Sequence, residues 1–408
     1  MRILGIETSC DDTAAAIIEA RGGLNKPSFS VLSNISYSQV AIHKKFGGIV
    51  PNLASRAHLE KIAPTVKAAL LIPRINSADI DLIAVTRGPG LLPSLLVGVN
   101  FARALAYKWQ KPIIGVNHIE GHIYSNWLNE PHLSFQSGLR ARSGHGVPRS
   151  GTSEGESLST ARWDVREKRE KIGAAIFPAL ILIVSGGHTE LVMMKNYGKY
   201  KIIGETLDDA AGECFDKTAR ILGLEFPGGP AIARLAERWK SEISNQKSKI
   251  NSKYKIQNTK YHIKLPRPII NSKDYNFSFS GLKTAVLYLY NNLVAQGVSS
   301  NIMRPVIAAE IQNAIIDVLA AKTIKAVKNY NPKSVMIAGG VAANKKLRKD
   351  LVEKIAPYKI PLFIPDLAYT TDNAAMIAAA GYFNYLKKKS RLDSWKKVEV
   401  SANLKLNR

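Results

Sequence analysis

Short apolar runs alternate with polar, glycine-rich turns along most of this chain. Runs with the length of a buried strand occupy 2–7, 81–86, 112–116, 179–184 and 334–338. Between them, apolar residues recur at helical spacing, most clearly over 94–107 and 304–330. This alternation predicts an α/β fold whose chemistry lies at the ends of the strands.

Two of the predicted strands end in similar polar hairpins. The strand at 2–7 runs into TSCDDT (8–13), and the strand at 179–184 runs into SGGHTE (185–190). Such turns can offer backbone amides to an anion and a carboxylate to water or a metal. An ordinary polar hairpin is the alternative for each turn taken alone. The repetition predicts two related lobes that each present one loop to a shared cleft.

His118 and His122 have the spacing of two metal ligands on one helix. At about 100° per residue, a helix brings positions four apart nearly into line, so both imidazoles can reach one ion. HExxH zinc proteases share this spacing, but their catalytic glutamate directly follows the first histidine, whereas Glu120 follows His118 by two. Glu120 is therefore expected to point away from the metal, which disfavours peptide hydrolysis. Histidines that pack or cap at a helix start are the alternative.

Two later loops add candidate ligand-binding residues. Gly339 and Gly340 stand between a strand and a helix, a setting typical of nucleoside sites because a missing Cβ lets the backbone approach the ligand. Asp372 precedes an alanine-rich helix. It could cap that helix or supply an oxygen ligand from the second lobe.

Charge and composition narrow the classes of function. The 408 residues include 57 Lys and Arg against 32 Asp and Glu, and the net charge of +25 favours a polyanionic partner. Lysine-rich surface loops would give the same total. No apolar run reaches membrane-spanning length and no signal-peptide pattern is present, so we expect a cytoplasmic protein without membrane association. The two cysteines, Cys10 and Cys214, are too few for a zinc knuckle or a disulfide framework.

Composition also divides the chain. Segments 133–175 and 238–273 are polar and lack an apolar period, which predicts surface insertions. We expect an N-terminal lobe over 1–117, a C-terminal lobe with both insertions over 118–390, and a basic tail over 391–408.

Nine motifs, in order along the chain, resemble the TsaD family of tRNA adenosine threonylcarbamoyltransferases, in its bacterial form. They are GIETSCDDT, VTRGPGLLPSLLVG, GVNHIEGH, LILIVSGGHTELV, TLDDAAGECFDKTARILGL, FPGGPAI, FSFSGLKTA, IAGGVAANK and TTDNAAMIA. The resemblance implies two actin-like lobes of the ASKHA, ribonuclease H-like class with a ligand cleft between them. It also implies transfer of a threonylcarbamoyl group from threonylcarbamoyl-AMP to the N6 amine of the adenosine 3′ of the anticodon, in tRNAs reading ANN codons.

The resemblance also implies roles for individual residues. His118, His122 and Asp372 would bind one divalent metal ion per subunit, iron in the family, although zinc suits the same ligands. Asp11 matches an acidic residue implicated in the chemistry. The adenylate would be held by Val184, Ser185, Gly186, Gly187, His188, Asp216, Gly229 and Asn344.

Partners follow from the same resemblance. Family members in bacteria work with a TsaB-type subunit and a TsaE-type ATPase on tRNA. Two other classes of function are weighed against this one. An ATP-dependent kinase or ATPase could use an actin-like cleft, and a non-catalytic nucleotide-binding partner subunit could share the fold.

Overall fold

The computed structural model describes residues 1–128, 176–247, 263–388 and 391–406. The insertion predicted at 133–175 lies outside these residues, as does the middle of the one predicted at 238–273.

The first of two sheets has the strand order β3-β2-β1-β4-β5. Its strands are β1 (Arg2–Glu7), β2 (Asp12–Arg21), β3 (Ser28–Ser38), β4 (Leu82–Gly88) and β5 (Ile113–Asn117). The pairs β1–β2 and β2–β3 are antiparallel, whereas β1–β4 and β4–β5 are parallel. The helices of this part of the chain are α1 (Val40–His43), α2 (Pro51–Leu71), α3 (Leu92–Trp109) and α4 (His118–Tyr124).

The second sheet repeats this topology. Its strands are β6 (Ala179–Val184), β7 (Thr189–Asn196), β8 (Lys199–Glu205), β9 (Ser334–Ala338) and β10 (Leu362–Phe363). Their order, β8-β7-β6-β9-β10, and their directions match the first sheet strand for strand. The predicted pair of related α/β lobes is therefore confirmed. The helices of this later part of the chain are α5 (Ala211–Ile221), α6 (Gly228–Lys247), α7 (Ser280–Ala295), α8 (Ser300–Tyr330), α9 (Lys345–Ile355) and α10 (Ala374–Lys387).

Helices cover both faces of the first sheet. Leu4, Ile6 and Val85 belong to the core on the side of α2 and α3. Ile3 and Ala84 face the opposite side, where α10 packs. Burial on both faces explains why β1 and β4 are continuous apolar runs and do not alternate with polar residues.

Helix α10 follows the second sheet in the chain but packs on the first. Glycines allow the close approach, because a Cβ on Gly381 would lie 2.5 Å from the Ala84 Cβ. A Cβ on Gly5 would overlap the carbonyl oxygen of Ala374, the first residue of α10. The start of α10 is thereby held against β1.

The opposite end of α10 and the chain after it also connect to earlier elements. Phe383 stacks between Tyr124 and Tyr197, with ring centroids 4.3 and 4.7 Å away. The Ser394 hydroxyl bonds the backbone of Ile113 on β5 twice. It accepts from the Ile113 N–H at 3.0 Å and donates to the Ile113 carbonyl at 2.9 Å. The division at 117/118 and at 390/391 stays a prediction. These contacts return residues beyond 373 to the first sheet.

Local sequence explains two helix boundaries. α2 begins at Pro51, because proline suits the first helical turn. Residues 238–247, predicted to open a loop, form the end of α6. Their Lys, Glu and Gln side chains lack an apolar period but have good helix propensity. Among the helices that the structure describes, none combines the length and apolar character needed to span a bilayer.

Candidate metal centre and interlobe cleft

His118 and His122 are presented by the short helix α4, directly after β5. Asn117 caps the helix, since its side-chain oxygen accepts a hydrogen bond from Ile119 N at 2.8 Å. Both histidines are buried, and their ring centroids lie 4.7 Å apart. The predicted helix and the predicted proximity of the two imidazoles are both confirmed.

Asp372 completes the cluster from the loop before α10. Its Oδ1 lies 3.2 Å from His122 Nε2 and 3.4 Å from His118 Nε2. The helix cap is Asn373, whose side chain accepts from Met376 N at 2.9 Å. The sequence left two roles open for Asp372, a helix cap or a metal ligand. Because Asn373 takes the cap, Asp372 is free to face the histidines.

The donor set fits one divalent metal ion. Ligand atoms of His118, His122 and Asp372 all lie within 4.8 Å of one another. Within the described residues, neither ring nitrogen of the fully buried His122 makes a hydrogen bond, although Nε2 lies 3.2 Å from Asp372 Oδ1. A buried polar atom without a partner is costly, and a cation bonded to Nε2 would satisfy one of the two. Imidazole and carboxylate ligands suit both iron and zinc.

The charges of the cluster reinforce this arrangement. Burial opposes ionisation of Asp372, but His118 and then His122 outweigh it and hold the pKa of this carboxyl below its ordinary value. Burial lowers the pKa of His188 to about 4, with a further contribution from the two triad histidines. His188 is therefore a neutral imidazole within electrostatic reach of the cluster.

Glu120 is directed away from the triad, as its position on the helix predicted. Its Oε2 accepts a hydrogen bond from Asn384 Nδ2 at 3.0 Å, and the residue is buried against α10. It is not placed to act as a base at the metal. The expectation against an HExxH-type protease is consistent with this geometry.

Sequence reasoning missed Glu7, which lies directly behind His118. This glutamate is fully buried, and its Oε2 lies 3.1 Å from His118 Nδ1. Its oxygens also accept from Ser9 N and from the Thr86 hydroxyl. A lone acidic residue at the end of an otherwise apolar buried strand was the available signal.

Asp11 lies in the β1–β2 turn near the triad. Burial, and next the charge of Asp372, raises the pKa of its carboxyl. The neighbouring Asp12 responds to the same causes, and its pKa rises to about 7. The turn is held by Gln39, whose N–H donates to the Asp11 carbonyl at 3.0 Å.

The β6–β7 hairpin, residues 184–188, presents two exposed glycines. Gly186 and Gly187 are exposed, and a Cβ on either would meet nothing within 4 Å. Val184 and Ser185 are buried, and Ser185 Oγ accepts from His188 N at 3.1 Å to close the turn.

Two neighbouring segments meet at this hairpin, and a third packs against one of them. The start of α5 touches it, because Gly212 N donates to Ser185 O at 3.2 Å. Gly339 packs on the Val184 carbonyl with a φ of 92°, a value that favours glycine. Asp216 on α5 accepts from Gly228 N at 2.6 Å, which draws the start of α6 close.

The remaining adenylate candidates, Gly229 and Asn344, differ in the space and the hydrogen-bonding capacity that they leave for a ligand. Gly229 follows this contact and leaves open space, since a Cβ would meet only the Phe215 Cβ at 3.9 Å. Asn344 caps α9 through Oδ1, which accepts from Lys346 N and Leu347 N at 3.0 and 3.1 Å. Its Nδ2 donates to Gln312 Oε1 at 2.9 Å, so one amide hydrogen remains for a ligand.

Polar contacts also join the two lobes directly. Lys44 Nζ lies 2.9 Å from Glu225 Oε2, and Arg220 donates to the carbonyl of Gly47. Both pairs join the loop after α1 to the region around the end of α5. Asp11 of the first lobe lies within electrostatic reach of Asp216 on α5, because its charge raises the pKa of Asp216 after the larger effect of burial.

Comparison with known proteins gives a consistent relationship over nearly the full chain. A family model described as "TsaD: tRNA N6-adenosine threonylcarbamoyltransferase" matches residues 30–143 and 165–379. The tRNA N6-adenosine threonylcarbamoyltransferase of Bacillus subtilis (strain 168) is 43% identical over 388 residues, which cover 95% of this chain and 91% of that protein. The protein of the same name from Thermosipho africanus is 41% identical over 406 residues and matches 100% of both chains.

Solved structures add little to this relationship. Component A of (R)-2-hydroxyglutaryl-CoA dehydratase from Acidaminococcus fermentans covers 95% of this chain and 98% of its own, with a TM-score of 0.43 and 12% identity. A likeness at that level carries no argument here. On the strength of the sequence relatives, this chain belongs to the TsaD family of tRNA N6-adenosine threonylcarbamoyltransferases.

Proposed function

We propose that this chain transfers a threonylcarbamoyl group from threonylcarbamoyl-AMP to the N6 amine of the adenosine 3′ of the anticodon in tRNAs reading ANN codons. The product would be threonylcarbamoyl-adenosine in the tRNA. Membership of a family of such transferases supports the reaction. The observation that carries the mechanism is the convergence of His118, His122 and Asp372 beside an open glycine hairpin.

The donor is a mixed anhydride, so it is already activated. The adenosine amine attacks the carbamoyl carbonyl, the bond to the phosphate oxygen breaks, and AMP leaves while the amine gives up a proton. The protein's tasks are to position the amine and to stabilise charge on the carbonyl and the leaving phosphate. A metal held by the triad would supply Lewis-acid stabilisation of charge on the donor.

Chain residues would divide the remaining work. The open backbone at Gly186 and Gly187, with Gly229, has room for the phosphate and ribose of the adenylate. Asp11 has a raised pKa and a place beside the triad, which suits it to orient the amine or accept its proton. Neutral His188 can accept or donate one hydrogen bond to the donor without adding charge.

We propose iron as the metal, with zinc as the alternative. The ligand types accept either ion, and the buried, two-imidazole site does not distinguish them. Metal analysis of protein purified under anaerobic conditions tests the assignment. An iron content near one per chain is expected, and zinc alone at that level would reverse the choice.

tRNA is proposed as the acceptor, and TsaB-type and TsaE-type proteins as partners. A net charge of +25 supports binding of a polyanion, and binding that depends on phosphate contacts should weaken steeply with added salt. A tRNA substrate also supports a cytoplasmic location, which cell fractionation tests. The kinase, ATPase and non-catalytic alternatives are not favoured, because the relatives are named as transferases.

Single-turnover transfer is the decisive experiment. The protein, its TsaB-type and TsaE-type partners, pre-formed threonylcarbamoyl-AMP and an ANN-decoding tRNA are mixed, and the tRNA is digested for nucleoside analysis. Threonylcarbamoyl-adenosine is expected, and a tRNA whose target adenosine is replaced by guanosine serves as the control. Absence of product with intact donor and folded tRNA would contradict the proposal.

A further inference from the structure

We propose that Glu7 is a positioning residue that fixes the ring of His118, so that Nε2 of this histidine presents its lone pair to the metal. The inference rests on the proposed metal centre and assigns a role outside its three ligands. Glu7 lies at the end of β1, whereas the ligands come from α4 and the loop before α10.

Both oxygens of Glu7 are occupied by donors. Oε1 accepts from the backbone N–H of Ser9, and Oε2 accepts from the Thr86 hydroxyl. The same Oε2 lies 3.1 Å from Nδ1 of His118. A fully buried carboxylate is costly unless such donors compensate it. The arrangement therefore stabilises an ionised Glu7. In that state the carboxylate can only accept a hydrogen bond from His118.

The hydrogen bond selects the protonated nitrogen of the His118 ring. A carboxylate can only accept, so a hydrogen bond to Glu7 requires the hydrogen on Nδ1, and the Ser9 hydroxyl, also 3.1 Å from Nδ1, is then a second acceptor for it. In a neutral ring Nε2 is then unprotonated, and this is the nitrogen 3.4 Å from Asp372 Oδ1. Carboxylates that hold the distal nitrogen of a ligand histidine in this way orient the ring and increase its basicity.

The second histidine has no such support among the described residues. His122 Nδ1 is buried without a hydrogen-bond partner, although the ring is as deeply enclosed as that of His118. The two ligands are therefore unequal, and His118 is the one whose orientation is set before any ion binds. Loss of Glu7 should for this reason weaken metal binding through one ligand only.

Glu7→Gln changes one atom in this arrangement. If the amide oxygen keeps the position of Oε2, the NH₂ group faces the N–H of Ser9, and two donors oppose each other. If the amide is turned over, NH₂ faces Nδ1 of His118 and favours the tautomer with the hydrogen on Nε2, which blocks the lone pair. The first orientation keeps an acceptor for Nδ1 but weakens the hold on the side chain at Ser9, and the second opposes the ligand state directly.

The test measures Zn²⁺ affinity of the full chain by competition with a chelator, in the absence of donor and tRNA. We expect Glu7→Gln to lower the affinity by about 10–100-fold, the usual effect of removing such a partner. Glu120→Gln is the matched control. Glu120 is another buried glutamate on the ligand helix itself, but it bonds Asn384 and not a triad histidine. Its substitution should leave the Zn²⁺ affinity within about twofold.

Thr86→Val provides a second variant in case Glu7→Gln does not fold. It preserves the shape of a buried side chain and removes one donor to Oε2, so a smaller loss of Zn²⁺ affinity is expected. Nitrogen-15 NMR of the zinc-loaded wild type should find the His118 hydrogen on Nδ1. Wild-type affinity in both variants, or a hydrogen on Nε2, would overturn the positioning role while leaving the proposed transfer reaction intact. A wild-type chain that binds no Zn²⁺ would overturn the metal centre and this inference together.

Discussion

Gly5 and Ala374 are in direct contact, and the space between them does not admit a Cβ on Gly5. Gly5 stands two residues before Glu7 on β1, and Ala374 stands two residues after Asp372. This contact therefore sets how closely the strand with Glu7 approaches the loop with Asp372. The contact thus helps to set the distance between Glu7, which lies behind His118, and Asp372.

Gly5→Ala is expected to destabilise the protein by roughly 2 kcal/mol, since an added methyl must displace the backbone of α10. Urea unfolding measures the change. The same substitution at Gly281, where a Cβ would meet nothing within 4 Å, should have little effect. Equal stability of Gly5→Ala and the wild type would show that α10 can shift without cost.

His122→Ala should remove most of the bound metal and the transfer activity together, because one of three protein ligands is lost. Metal content after purification and single-turnover transfer are measured on the same sample. His43→Ala is the control, since His43 is also a buried histidine but bonds Gln39 and the Val50 N–H. Full metal occupancy in His122→Ala would exclude this residue as a ligand.

Asp11→Ala should keep donor binding and lose transfer. A side chain that orients the amine or accepts its proton typically contributes about 10²–10⁴-fold in rate. Equilibrium binding of a non-hydrolysable donor analogue, compared with the single-turnover rate, separates the two effects. An unchanged rate would remove Asp11 from the chemistry, and a matched loss of binding would make it a binding residue.

Glu190 should make the protein less stable as the pH rises. Burial, and next the charge of Glu205 opposite it on β8, raises the Glu190 pKa from 4.5 to about 7. The folded state therefore holds this proton more tightly than the unfolded chain. The stabilisation is fully present below pH 4.5 and is lost as the pH rises to about 7.

Glu190→Gln should remove this dependence. Its gain in unfolding free energy is expected to be on the order of 2–3 kcal/mol at pH 8 and much smaller near pH 5. Urea unfolding at both pH values gives the comparison. Glu60→Gln, at an exposed position of α2, is the matched control. Equal gains for Glu190→Gln at the two pH values would contradict the buried-proton explanation.

Residues close together in sequence were the most predictable part of the site. Helical periodicity alone places His118 and His122 on one face and Glu120 on another, and the structure agrees. Local pattern also revealed the glycine hairpin at 185–188, because a strand end and its turn are short-range features. These properties depend on a few successive residues and need no knowledge of the tertiary fold.

Contacts between distant segments could not be predicted in the same way. The choice between a cap and a ligand for Asp372 depended on Asn373 taking the cap, and on α10 lying against β1. Glu7 was missed because its partners, Thr86 and His118, are 79 and 111 residues away in the chain. Its role follows from the sheet order and is not encoded in the residues around it.

The return of α10 to the first sheet has a consequence for synthesis on the ribosome. The strands of that sheet are made first, but the helix that covers one face, and Asp372 just before it, are made only after the second sheet. N-terminal units usually fold as they emerge, and here the apolar face of the first sheet must wait for the rest of the chain. The nascent chain therefore has two of the proposed ligands early and the third only after the second sheet, so the proposed metal site stays incomplete until that sheet has been made.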